Sequence, residues 1–144
     1  MTIVDANVLL YAVDGGAAHH QAAKRWLDAA LSDQREAVLI PWICLLAFVR
    51  LITHAAVYER PLTVGQALGI VEVWLGRANV ITPEPDREHP RRMRALLDAT
   101  GRGGNLVNDA HLAALAIQYG ATVVSFDNDF ARFPGVARLV PSAE

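Results

Sequence analysis

Apolar residues fall along this chain in two patterns: short unbroken runs, and longer stretches where they recur every three or four positions. The runs centre on Ile3-Val4, Val38-Leu39-Ile40, Val80-Ile81 within Asn79 to Thr82, and Thr122-Val123-Val124 within Ala121 to Ser125. Short runs of this kind predict strands buried on both faces, and Arg138-Leu139-Val140 adds an edge strand. Between the runs, Ala23, Trp26, Leu27, Ala30 and Leu31 repeat at helical spacing and predict a one-faced helix ending near Ser32-Asp33. After Pro41, Leu45, Phe48, Val49 and Ile52 mark the core side of a helix from about Trp42 to His54, whose other face carries Ala47, Arg50 and His54. Pro61 precedes a helix from about Val64 to Gly76 with Leu68, Val71 and Leu75 as its stripe.

Pro83 and Pro85 mark a turn. The Arg-rich segment from Asp86 to Thr100 reads as mostly helical with Pro90 in its first turn. Gly101-Arg102-Gly103-Gly104 predicts a flexible loop. Asn108-Asp109 then opens a helix, with Asn108 as its cap, that presents Leu112, Leu115, Ala116 and Tyr119 on one face and stops at Gly120. Strands alternating with helices give an α/β class: one domain with a mostly parallel central sheet flanked by helices.

Composition changes this picture little. The 144 residues are 53% hydrophobic and 19% charged, the balance of a compact globular chain. A net charge of −2 supplies no global basic field, so any nucleic-acid contact must come from a local patch. Cys44, the single cysteine, lies in an apolar run and reads as a buried thiol in a reducing compartment. The first residues lack a basic region, and Asp5 and Asp14 interrupt their apolar stretch, so no signal peptide is expected. No segment approaches the roughly 18 apolar residues of a membrane span, and a cytoplasmic protein follows as the expectation.

The chemistry lies in the acids. Asp5 stands where the first strand ends, and Asp127, with Asp129 two residues on, follows the strand ending at Ser125. In open α/β sheets the carboxyl ends of the strands line the ligand crevice, which places Asp5 and Asp127 on one edge. Asp109, in the first turn of its helix, can face them. Each acid alone has a plainer explanation: Asp109 as a helix-start acid, Asp127 and Asp129 as turn residues. Their convergence is what carries the argument. Carboxylates held together repel one another and call for a cation, and an all-oxygen set selects Mg²⁺ or Mn²⁺. Such an ion activates water and binds a phosphate oxygen, the requirements of phosphodiester hydrolysis.

Three ordered motifs then carry a resemblance. Asp5-Ala6-Asn7-Val8-Leu9-Leu10-Tyr11, Asn105-Leu106-Val107-Asn108-Asp109-Ala110-His111-Leu112-Ala113-Ala114-Leu115-Ala116 and Val124-Ser125-Phe126-Asp127-Asn128-Asp129-Phe130 together resemble a PIN domain. More closely, the chain is similar to the VapC toxins of type II toxin–antitoxin pairs, particularly mycobacterial ones. The resemblance spans essentially the whole chain. It implies a Mg²⁺-dependent endoribonuclease that inhibits translation and growth. It further implies a homodimer neutralised by a small VapB-like antitoxin, with RNA of the tRNA or rRNA class as substrate. By position, Asp5 and Asp109 match the main metal ligands, Asp127 the third carboxylate, Asp129 a peripheral acid and Asn7 the polar residue after the first Asp.

One departure counts: the family usually has a Glu on the second helix where this chain has Ala47. That keeps open a catalytically weakened PIN-fold protein that binds RNA or antitoxin without cutting. A phosphoryl-transfer enzyme with an Asp after its first strand wants an active-site Lys late in the chain, and the single lysine is Lys24. For the substrate, Asn7 and Arg50 lie beside the acids. Arg91, Arg92 and Arg102 belong to a cluster, with Arg87, Arg94 and His89, that either contacts phosphates or forms a solvated face paired with Glu84, Glu88 and Asp98. His19, His20, His54 and His111 lack partners at metal-ligand spacing and read as structural or surface residues. Trp26, Trp42 and Trp74 read as core or dimer packing.

Overall fold

The computed structural model describes residues 1–143, and its elements follow the apolar runs. Strand β1 (Thr2–Val4) is the centre of a five-stranded sheet in the order β3-β2-β1-β4-β5, with β2 at Val38–Leu39, β3 at Val80–Ile81, β4 at Thr122–Val124 and β5 at Arg138–Leu139. Every pairing is parallel; Ile3 stands opposite Leu39 on one side and Val123 on the other. Ile3, Val4, Val38, Leu39, Val123 and Val124 are buried because helices cover both faces, which is why these strands read as continuous apolar runs. The chain first builds outward from β1 through β2 to β3, then returns to lay β4 on the other side of β1. The crevice of such a sheet opens where that direction reverses, outside the carboxyl ends of β1 and β4.

Helix α1 (Ala6–Val13) follows β1 directly and buries Val8 and Leu9; the apolar run after Asp5 is thus a helix that hydrophobic patterning alone did not resolve. Helices α2 (His20–Ser32), α3 (Trp42–Ile52), α4 (Val64–Leu75), α5 (His89–Thr100) and α6 (Val107–Tyr119) complete the layers. The side chains of Thr63 and Gln66 form a reciprocal capping box at the start of α4. Pro90 lies in the first turn of α5, and Gly101 and Gly120 end α5 and α6 with φ of 66° and 67°, conformations that cost a side-chain-bearing residue energy. No helix among the described residues is long and apolar enough to cross a membrane.

Several sequence expectations need correction. Asn108 does not cap α6: the helix begins at Val107 after a 3-10 turn at Gly104–Leu106, so part of the expected flexible loop is ordered. The buried stripe of α4 is Ala67, Val71 and Trp74, one position from the expected one, and Leu68 is 43% exposed. Trp42 is likewise 46% exposed, whereas Trp74 tilts against Phe48 in the core with ring centroids 4.9 Å apart. Helix α3 ends at Ile52, and Thr53 after it bonds the Val49 carbonyl through its hydroxyl at 2.7 Å.

Asn79 closes the far end of the sheet. Its buried amide nitrogen donates to the carbonyls of Ala30, Asp33 and Glu36 at 2.9, 3.0 and 3.0 Å, tying the end of α2 and the approach to β2 onto the start of β3. Asn79→Ala strands those acceptors and is expected to cost about 1–3 kcal/mol, read as a lowered urea midpoint at unchanged m-value.

Candidate metal and phosphodiester site

The site begins with a hydroxyl. Ser125, the first residue after β4, is fully buried. Its Oγ donates to Asp5 Oδ2 at 2.7 Å while accepting from the Asp127 backbone N–H at 2.9 Å and from Asn7 Nδ2 at 3.2 Å. One hydroxyl thus uses its donor and both lone pairs to join the ends of β1 and β4. Asp5 caps α1 with its other oxygen, accepting from the Ala6 N–H at 2.7 Å. Asn7 Oδ1 accepts the Phe126 N–H at 3.3 Å, a second strap between the two chain ends. Asp127 then folds back to cap a 3-10 turn (Asn128–Arg132) by accepting the Asp129 N–H at 2.8 Å. That turn brings the Asp129 carboxylate beside it.

Asp109, in the first turn of α6, completes the set: one carboxylate oxygen from each of Asp109, Asp127 and Asp129 lies within 4.8 Å of the others. Asp5 falls outside this trio because Ser125, Asn7 and Ala6 hold its oxygens, yet it lines one cavity of about 160 Å³ together with Asp109. The crowding has an electrostatic signature. Burial, then the charges of Asp127, Asp5 and Asp129, push the Asp109 carboxyl up to about 7. Burial also raises Asp5, against the lowering effect of the Ser125 hydroxyl, and Asp127 adds to the rise. Oxygen donors this close, with one carboxyl driven toward its neutral form, suit a hard divalent cation.

Apart from Asn108, the remaining wall of the cavity is apolar. Ile43, Cys44 and Ala47 from α3 and Leu112 from α6 face the acids, so the position where the family usually carries a Glu contributes a methyl group. Burial and the Asp5 charge push the Cys44 thiol up, and it stays a neutral, inert packing group. Ile43, Ala47 and Asn108 also line an adjoining open hollow of about 500 Å³, and Arg50 stands at its side with Leu46 and Val49.

The other residues assigned to substrate are placed differently. The polar atoms of Asn7 are committed within the protein, to Asp5, Ser125 and Phe126, so it acts on the site by positioning. Arg91 pairs with Glu88 at 2.7 Å and Arg92 with Asp86 at 2.5 Å, the partnered arrangement of a helix face. Arg102 is exposed, with its backbone N–H held by the Thr100 hydroxyl at 3.2 Å. His111 faces inward to His89, with Nδ1 and Nε2 at 2.8 Å; burial lowers both rings, and the neutral pair fastens α5 to α6 behind Asp109. Sequence reasoning missed Ser125 as a site residue. Its one signal was a hydroxyl where an apolar strand meets an Asp.

Comparison with known proteins agrees in outline. The family model described as PIN domain matches residues 2–136. The chain is 48% identical over 143 residues to Ribonuclease VapC37 of Mycobacterium tuberculosis, covering 99% of each sequence. Among solved structures it resembles VapBC2 of Rickettsia felis, bound to a DNA fragment from its promoter, at a TM-score of 0.67 and 20% identity over 98% of each chain. It also resembles Mycobacterium tuberculosis VapC20, a sarcin-ricin loop cleaving toxin, at 0.67 and 19% identity, covering 95% of this chain and 99% of the other.

The raised Asp109 carboxyl makes stability fall as pH rises. The unfolded group titrates near 3.8 and the folded one at about 7, so the native state holds the extra proton between those values and loses that advantage above them. In EDTA, the melting temperature is expected to drop from pH 5 to pH 8. Asp109→Asn should flatten that slope, and an unchanged slope would mean that Asp109 is not the crowded acid.

Proposed function

Because the chain belongs to the PIN-domain family, and within it to the VapC ribonucleases, we propose that it is the toxin of a type II toxin–antitoxin pair, an endoribonuclease dependent on Mg²⁺ or Mn²⁺. The observation that carries this reading is the set of carboxylates at the switch point of the sheet, with Asp109 pushed up to about 7 by burial and by its acidic neighbours. Asp109, Asp127 and Asp129 are assigned as oxygen donors to the ion, with Asp5 completing the negative wall. A bound divalent ion supplies charge that lowers the pKa of a water and neutralises a phosphate oxygen.

The chain's own residues do the rest. Ser125 and Asn7 orient Asp5 and the Asp127 backbone, so the acids are held in place before substrate arrives. Arg50 stands over the hollow that adjoins the acidic cavity and is assigned to a phosphate beside the cleaved bond. Arg102 has no ion-pair partner among the described residues and offers a phosphate contact, whereas Arg91 and Arg92 reach RNA only by exchanging Glu88 and Asp86 for it. An RNA of the tRNA or rRNA class, a homodimer, action in the cytoplasm and inhibition of translation belong to the same proposal. So does a VapB-like antitoxin, a partner supported by the resemblance to VapBC complexes.

A second reading rests on Ala47. With no carboxylate from α3 in the cavity wall, the ion has fewer donors than a relative carrying Glu there would offer, which favours weaker metal binding and a protein that binds RNA or antitoxin while cutting slowly.

Cleavage of total cellular RNA separates the two. The native chain is expected to produce discrete fragments with Mg²⁺ or Mn²⁺ and none with EDTA. Asp5→Asn and Asp109→Ala should each reduce cleavage more than about a hundredfold, beyond the effect usual for outer-shell partners, without lowering the melting temperature. Native-rate cleavage by Asp5→Asn would remove Asp5 from the site. No metal-dependent cleavage by the native chain would favour the second reading. Ala47→Glu is expected to lower the Mn²⁺ concentration needed for half-maximal cleavage, and an unaltered titration would show that this wall does not reach the ion.

A further inference from the structure

Phe126 lies between Ser125 and Asp127, and its N–H is strapped to Asn7. Its ring is therefore fixed one residue from the acidic cluster. The His19 imidazole stacks on it almost face to face, with centroids 4.4 Å apart and planes 12° from parallel. Tyr11, one helical turn beyond Asn7 on α1, leans against both, at 5.6 Å from Phe126 and 5.9 Å from His19. The segment carrying His19 is itself tied down: the His20 ring bonds the Tyr11 carbonyl at 2.8 Å. Yet His19 precedes α2 without a side-chain capping bond, and it is exposed. A flat ring held rigidly on a braced aromatic pair, outside the core and beside a phosphodiester site, has no evident packing task on its outer side.

We propose that His19, stacked on Phe126 and braced by Tyr11, is a platform for one unpaired RNA base next to the cleaved phosphate, and so helps to set where the RNA is cut. The inference rests on the ribonuclease reading above and deepens it. Single-stranded RNA is held by stacking of splayed bases on aromatic and histidine rings, a contact that every base can make and that needs no hydrogen-bond code. The order along the chain fits: Asp127 would anchor the phosphate end through the acids, and Phe126 immediately before it carries the His19 ring that would receive the neighbouring base. Phe126 stands two residues past the end of β4 and directly after Ser125, whose hydroxyl bonds Asp5. RNA spanning from Arg50 past the acids would bring an unstacked base to His19.

The test uses a hexanucleotide RNA carrying one 2-aminopurine, whose fluorescence falls on stacking, bound to the full chain with Ca²⁺ in place of Mg²⁺. Native protein is expected to quench it. His19→Ala should remove most of the quenching and weaken binding about tenfold, within the range for loss of one base stack. His19→Trp should restore both, since it keeps a stacking face and loses the imidazole. Parallel mapping of cut sites in total RNA with Mn²⁺ should show His19→Ala shifting the distribution of cut sites and raising KM more than it lowers kcat. Quenching and cut sites unaltered in His19→Ala, with the native chain cutting normally, overturn the platform alone. A native chain that neither cuts nor binds overturns the ribonuclease reading and the platform with it.

Discussion

Everything at this site depends on one buried hydroxyl. The ends of β1 and β4 both carry acids, and like charges at adjacent strand ends push the strands apart. Ser125 opposes this by donating to the Asp5 carboxylate while accepting from the Asp127 backbone N–H and the Asn7 amide, so that the neighbouring strand ends are held together. A fully buried hydroxyl with every hydrogen-bonding position used is rigid, and it holds Asp5 and the Asp127 backbone in fixed places. Burial and the neighbouring carboxylates together push the Asp109 carboxyl up to about 7.

The sheet order explains why that junction exists at all. Because the chain runs outward from β1 to β3 and then returns to place β4 against β1, helices leave the two strand ends in opposite directions and open a crevice between them. Asp5 and Asp127 each occupy the first position that can accept a following N–H, Ala6 for the one and Asp129 for the other. Two acids of the candidate site are thus also capping residues. This dual use accounts for the chemistry and for the sharp change from strand to helix at both places.

The wall opposite is where this chain differs from the usual family pattern. Ala47, Ile43, Cys44 and Leu112 make one side of the cavity apolar, while acids line the other.

Much of this was legible in the residue order. Buried parallel strands announce themselves as apolar runs, helices as three-and-four repeats, and an Asp at the end of a run marks the carboxyl edge of the sheet; these are local signals, and β1, β4, α2 and α6 carry them clearly. The three acidic segments could be brought together on paper for the same reason, since parallel order sends all carboxyl ends to one side. Local signals stop there. Helix α1 was hidden because eight residues after a strand, nearly all apolar, show no period. The stripe of α4 was misplaced by one position because Leu68 and Ala67 are both apolar and only packing against the rest of the fold chooses between them. Whether Arg91 and Arg92 are free, which acids come within 4.8 Å, that Ser125 joins Asp5 to the Asp127 backbone, and that His19 stacks on Phe126 were decided by contacts between residues far apart in sequence. Residue types and their order determined where charge would collect. Only the tertiary structure, by fixing distances that no local pattern encodes, decided which side chains hold it there.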